Sequence, residues 1–121
     1  ELLKRAERLL DGKVACVCIN RAESEMEGIS YEDIHPISEF LRDCEDIQLG
    51  FTMYEEEENR WRCSFRSDGK WINVNELLQV FGGGGHAAAA GVRKRTNDVE
   101  KFRQEILERI IMMRKISGQD K

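Results

Sequence analysis

Residues Gly82, Gly83, Gly84 and Gly85 form an unbroken glycine run that ends on His86. Glycine loses more backbone freedom on folding than any other residue, so such a run is retained where side chains are excluded and something approaches the backbone closely. Successive amides of this kind can turn inward as a nest for phosphate or carboxylate oxygens. If Ala87 to Ala90 opens a short helix, its free N–H groups add to the same field. His86 stands at the rim, able to donate to a phosphate or stack on a base. A helix-ending turn needs one glycine rather than four, which makes a simple turn or flexible linker the weaker reading. No lysine of the Walker A type follows the glycines, so an ordinary P-loop nucleotidase is disfavoured.

A second constellation precedes the glycines. Trp61, Cys63 and Phe65 alternate as the inward set of a strand, leaving Arg62, Ser64 and Arg66 on the opposite face with Ser67 at the strand end. An arginine can clamp a phosphate through two parallel N–H bonds, and a hydroxyl adds a third. The competing reading is a solvated strand face with ordinary surface arginines. The candidate ligand-contacting residues are therefore Ser64, Arg66, Ser67, Gly82, Gly83, Gly84, Gly85 and His86.

Asp33 and His35 form a D-x-H pair without further carboxylates at ligand spacing, which reads as a helix start rather than a metal site. Arg93, Lys94 and Arg95 can contact a polyanion or guard a sheet edge against aggregation. Cys16, Cys18, Cys44 and Cys63 lack any C-x-x-C spacing and sit among apolar residues, so they read as small core residues in a reducing compartment.

The elements that must position these groups follow from periodicity. Leu2, Leu3, Ala6, Leu9 and Leu10 recur at helical spacing up to Gly12, predicting an amphipathic lead-in helix. Val14 to Ile19 reads as a central strand and residues 20–32 as a polar loop. A helix begins near Asp33, with Pro36 in its first turn, and runs through Ile37, Phe40 and Leu41 to Cys44. Ile47, Leu49, Phe51 and Met53 alternate as a strand, Glu55 to Asn59 form a solvated turn, and the Trp61–Phe65 strand returns to complete a hairpin. Asn73, with Glu76 three residues on, caps a helix carrying Val74, Leu77, Leu78 and Phe81 that Gly82 stops. A short strand covers Gly91 to Arg95. Val99, Phe102, Ile106, Ile110 and Met113 then stripe a long helix, with Met112 and Met113 read as core. The order predicts an α+β fold, a mixed β-sheet flanked by α-helices in a single domain.

With 121 residues, 40% of them hydrophobic and 35% charged, the chain has the size and composition of one globular unit. A net charge of −4 argues against coating nucleic acid by bulk electrostatics, although base gathers locally at Arg60, Arg62, Arg66 and Lys70. No apolar run is long enough to span a bilayer and no secretory signal pattern opens the chain, so no membrane partner and a cytoplasmic location are expected. The chain opens at Glu1 within a helical pattern, which reads as part of something longer.

The segment Cys63–Gly91, CSFRSDGKWINVNELLQVFGGGGHAAAAG, resembles the signature of the DHH-associated C-terminal domain of DHH phosphoesterases. The matching positions are Ser64-Phe65-Arg66-Ser67, Val74-Asn75, Gly82 to His86 and Ala89-Ala90-Gly91, and the order of elements agrees from Val14 to Met113. The resemblance implies a lead-in helix or linker at 1–12, a substrate-binding domain at 13–116 and a tail at 117–121. It further implies a partner N-terminal DHH domain in the parent chain, holding two manganese ions through Asp and His ligands. No cofactor is expected in this domain and no catalysis from it alone. Substrates implied are short RNA or nucleotides: 3′-phosphoadenosine 5′-phosphate (pAp), nanoRNA, cyclic dinucleotides or single-stranded DNA, as in nanoRNases and RecJ-like exonucleases. By position Ser64 and Arg66 are phosphate or nucleotide contacts, and Gly83 to His86 grip the substrate end. Relatives often place a lysine, asparagine or arginine just after the histidine, where this chain has Ala87. Two alternatives stand beside this reading: an RNA-binding module similar to that ending alanyl-tRNA synthetases, disfavoured by His86, and a structural or oligomerising domain using the long C-terminal helix.

Overall fold

The computed structural model describes residues 2–118. A short 3-10 turn at Leu2–Arg5 leads into β1 (Glu7–Leu9) and β2 (Val14–Ile19). Three short helices follow, α1 (Arg21–Glu27), α2 (Tyr31–Ile34) and α3 (Ile37–Arg42). The hairpin β3 (Leu49–Glu57) and β4 (Arg60–Ser67) precedes α4 (Val74–Gln79), a second hairpin of β5 (Gly84–His86) and β6 (Ala89–Arg95), and the long α5 (Val99–Ile116). The strands make one mixed sheet in the order β1-β2-β3-β4-β6-β5, in which β2 and β3 run parallel and the remaining neighbours antiparallel. This is the expected α+β architecture, in one compact domain. No helix among the described residues is long and apolar enough to cross a membrane.

Each face of the sheet has its own core. On one, Val14, Cys16, Leu49, Phe51, Met53, Trp61, Cys63, Phe65 and Val92 pack against Leu77 and Leu78 of α4 and Phe102, Ile106 and Ile110 of α5. Phe51 and Phe65 face each other across β3 and β4 and stack with centroids 4.7 Å apart. On the other face Ala15, Val17 and Ile19 of β2 meet Ile34 of α2 and Ile37 and Leu41 of α3. That second cover sits over β2 and β3 and reaches β4, where Glu39 of α3 meets Arg66 and Tyr31 of α2 meets Ser64, and it makes no comparable contact with β6 or β5.

Several expected elements change. Leu2 to Leu10 do not form one helix: Glu7, Arg8 and Leu9 pair with Cys16, Ala15 and Val14, because β2 would otherwise leave its edge unpaired. Residues 20–32 are not a loop. Asn20 and Glu23 close a capping box that starts α1, and Gly28 ends it in the left-handed conformation at φ 65°. Ser30 and Asp33 close a second capping box at α2. The hairpin turn narrows to Glu58 and Asn59, since β3 continues through Glu57 with a bulge between Glu55 and Glu57. Ala87 to Ala90 open no helix; Ala87 and Ala88 form the tip of the β5–β6 hairpin. Met112 and Cys44 are exposed rather than core, and Phe40 of α3 is exposed too. The expected tail beyond Gly118 lies outside the described residues.

Close approach of α3 to the sheet is possible because residue 50 is glycine. A Cβ there would stand 2.7 Å from Leu41 Cβ and 2.8 Å from the Arg42 amide nitrogen. Gly50→Ala is therefore expected to cost about 1–3 kcal/mol by overpacking, read as a lower denaturant midpoint at unchanged slope. Burial pushes the Cys16 and Cys63 thiols well up and that of Cys18 up to about 12. Iodoacetamide at mildly alkaline pH is expected to label Cys44 first and the other three only after unfolding.

Candidate functional site

The uncovered half of the second sheet face brings the sequence-singled residues together through strand register. Because Trp61, Cys63 and Phe65 are buried under α4 and α5, the alternate residues Arg62, Ser64 and Arg66 project to the open side. Register then lines up three rows. Arg66 is opposite Ala89, which is opposite His86; Ser64 is opposite Gly91, which is opposite Gly84; Arg62 is opposite Arg93. Arg66 and His86 thus stand two strand spacings apart, about 10 Å, in one row with Ala89 between them, and the next row has glycines at its β6 and β5 positions. A cleft of about 410 Å³ lies over the Ser64–Gly91 and Arg62–Arg93 rows, lined by Tyr31, Arg62, Ser64, Gly83, Gly91 and Arg93, while Arg66 and His86 in the adjoining row lie outside its lining.

Tyr31 comes from α2 and was not singled out in the sequence. Its hydroxyl shares a hydrogen bond of 2.8 Å with Ser64 Oγ, and the Arg62 guanidinium lies 3.8 Å over its ring. His35 stacks on the same ring with centroids 5.4 Å apart. The N-terminal capping box at Ser30 orients this wall, so Tyr31 couples the helical layer to the cleft. The S-Y pair before the helix was the available signal, but Tyr31 fell inside a stretch read as loop. Arg66 is held from the other side by Glu39 of α3, 3.7 Å from its guanidinium.

The glycines do something different from what a free anion nest requires. The Gly83 amide donates to the Leu78 carbonyl at 2.9 Å, and the Gly85 amide to Asn75 Oδ1 at 3.0 Å. Their role is close packing: a Cβ at Gly83 would stand 2.5 Å from the Gly91 carbonyl oxygen, and one at Gly85 2.7 Å from that of Ala89. Gly82 takes the left-handed φ of 84° that turns the chain out of α4. The run lets β5 lie directly against β6 and keeps the cleft floor bare, while His86 remains exposed at the hairpin end.

Ser67 is the clearest correction. It is fully buried, on the Trp61 and Phe65 side of β4. Its hydroxyl donates to the Ile72 carbonyl at 2.8 Å and accepts from the Gly69 amide at 2.9 Å, while its own amide donates to the Ala88 carbonyl at 3.0 Å. Ser67 therefore ties the strand end to the hairpin tip, with its hydroxyl committed inside the domain. The Val74 amide holds the same tip through the Ala87 carbonyl at 2.9 Å.

A metal fits poorly here. Asp33, taken as a helix-start residue, spends its carboxylate on the Ser30 amide and hydroxyl at 2.8 and 3.0 Å, which holds it below the usual carboxylate range. His35 is engaged with Tyr31. Among the described residues no group of three His, Cys, Asp or Glu side chains is arranged to hold an ion.

The fold and this cleft define a class: a mixed-sheet domain whose partly covered face offers arginines around a glycine floor, with a histidine exposed at the adjoining hairpin end. The chain belongs to the DHHA1 domain family, whose model matches residues 11–112. It is 37% identical over 71 residues to the bifunctional oligoribonuclease and PAP phosphatase NrnA of Mycoplasma pneumoniae, an alignment covering 58% of this chain and 21% of that protein. Among solved structures it is similar to an exopolyphosphatase-related protein from Bacteroides fragilis, with a TM-score of 0.76 at 20% identity over 93% of this chain and 34% of the other. It is similar too to the C-Ala domain of Aquifex aeolicus alanyl-tRNA synthetase, with a TM-score of 0.64 at 16% identity over 87% of this chain and 96% of the other. The chain spans about a fifth of the length of the curated relative it matches.

The two serines of β4 separate structural from cleft roles. Ser67→Ala leaves the Gly69 amide without its acceptor and is expected to cost about 1–3 kcal/mol in denaturant unfolding. Ser64→Ala removes only the half-buried bond to the Tyr31 hydroxyl and is expected to cost less, about 0.5–1.5 kcal/mol.

Proposed function

We propose that this domain binds the phosphate-bearing end of a nucleotide or short oligonucleotide for a DHH phosphoesterase, and that bond cleavage belongs to a separate DHH domain with bound manganese. The observation that carries the reading is the sheet face on which Ser64, Arg62 and Arg93 surround a glycine floor, with Arg66 and His86 flanking Ala89 in the adjoining row. Guanidinium forks match the geometry of phosphate oxygens, and a bare flat floor admits a ribose or base against the sheet. Because the Gly83 and Gly85 amides are engaged within the chain, the phosphate contacts fall to Arg66 and the His86 ring, with the Ser64 hydroxyl adding a further donor. Arg66 exchanges its exposed contact with Glu39 for the ligand, a pair that contributes little by itself.

The relative named as an oligoribonuclease and PAP phosphatase supports this substrate class, with pAp and short RNA as the leading candidates and cyclic dinucleotides and single-stranded DNA behind them. The C-Ala likeness lies in the fold, which serves both settings. The cytoplasm is the proposed location.

Calorimetry on the 121-residue chain with pAp and a short oligoribonucleotide tests the proposal. Both ligands are expected to bind, and Arg66→Ala or His86→Ala to weaken binding by about 10-fold or more, the worth of one charge-assisted hydrogen bond, with circular dichroism unchanged. Absence of heat with either ligand would overturn the reading. Manganese-dependent hydrolysis by this chain alone would overturn the assignment of cleavage to a separate domain.

A further inference from the structure

The open face continues past the cleft. In the β4–β6 register Arg62 is directly opposite Arg93, and two residues further on Arg60 is directly opposite Arg95. Alternation puts all four on the side that carries Ser64 and Arg66, whereas Trp61 turns into the opposite core and Lys94 lies 5.4 Å from the Phe102 ring there. Like charges placed directly across a strand pair oppose folding, so the fold gains nothing from two such rows in succession. A basic edge strand deters aggregation, and that would account for Arg93 and Arg95 on β6, which loses its neighbour β5 beyond Gly91. It does not account for Arg60 and Arg62, because β4 is an interior strand.

The acidic groups nearby offset the rows only in part. Arg93 meets Glu56 at 3.3 Å and Arg60 meets Glu57 at 3.1 Å, both at exposed positions. Glu55 is occupied by the Arg21 and Asn59 amides at 2.9 and 2.7 Å. Among the described residues Arg62 and Arg95 have no carboxylate partner, and Arg62 is laid flat over Tyr31 instead.

We infer that the Arg62/Arg93 and Arg60/Arg95 rows form a track for the successive phosphates of a single-stranded oligonucleotide whose end sits at Arg66 and His86. The inference rests on the nucleotide-end reading above and adds a length preference to it. Rows two residues apart repeat about every 7 Å, and Arg66 to Arg60 spans about 20 Å, several nucleotides of backbone. A regular repeat of point charges beside an aromatic wall, Tyr31 with His35 stacked on it, matches the combination that holds single strands, basic groove with interleaved rings. An extended acidic peptide repeats charge on one side at a similar spacing, but it brings no bases to stack on the aromatic wall.

Fluorescence titration of the 121-residue chain with pAp, a diadenylate and a hexaadenylate at several salt concentrations tests the track. The hexanucleotide is expected to bind about 10-fold or more tighter than pAp at low salt, as added phosphate contacts require. The double variant Arg60→Gln, Arg95→Gln is expected to remove most of that gain while leaving pAp affinity within about 2-fold, and to flatten the salt slope for the hexanucleotide by about 1.4, about 0.7 for each arginine replaced. Equal affinity for pAp and hexaadenylate would overturn the track and leave the end site standing. Failure of every ligand to bind would overturn both. Competition by hexaglutamate as strong as that by hexaadenylate would overturn the nucleic-acid assignment of the stripe.

Discussion

Pleat alternation along β4 is the constraint on which the site depends. Trp61, Cys63, Phe65 and Ser67 are driven to one side by the core they share with α4 and α5. Burial of large apolar side chains such as Trp61 and Phe65 stabilises by about 1.5–3 kcal/mol each. A slip of one residue would carry that whole set to solvent and bring the arginines into the core. The arginine face is thus held in place by residues that never touch it. The Phe51–Phe65 stack locks β3 to the same register, and through the β4–β6 pairing the register passes to Gly91 and the glycine strand.

A second constraint is what the helices leave uncovered. The connection from β2 to the parallel β3 must cross over the sheet, and α1, α2 and α3 make that crossing above the β2–β3 half. α3 also reaches β4, and beyond it the sheet continues through β6 and β5 with no comparable helical contact on this side. Tyr31 stands where cover ends, with Tyr54 tilted against it at 5.9 Å and Arg62 across its face. The cleft is consequently a boundary feature, walled by the first turn of α2 on one side and floored by strands that have small residues where a layer would otherwise press.

Much of this was legible in the sequence because it is written in simple periods. Alternating apolar residues marked β3 and β4, and with them the outward direction of Arg62, Ser64 and Arg66. Asn73 and Glu76 marked α4, and the Val99–Met113 stripe marked α5. What escaped was decided by tertiary pairing or by polar caps. The leucines near the N-terminus have helical spacing, yet Glu7–Leu9 pairs as a strand because β2 offers an edge. The polar composition of residues 20–32 hid two capping boxes at Asn20–Glu23 and Ser30–Asp33 whose residue types were visible. The four glycines pointed correctly to a place without side chains, but spacing alone does not reveal whether the intruder is a ligand or the neighbouring strand. Here β6 is the intruder. Ser67 was read with Ser64 from proximity, although odd and even positions of a strand part company at every step.

The pinning of the glycine hairpin has a kinetic side. With its tip held by the Ser67 and Val74 amides and its middle by Asn75, the segment that would be the most freely moving in the chain is ordered before any ligand arrives. Its large loss of conformational freedom is absorbed in folding, so association need not wait for a loop to close nor offset the entropy of ordering one. For the proposed nucleotide-end binding, a hairpin ordered in this way makes association a matter of collision and docking, with residence time set by the contacts made after arrival rather than by a gate.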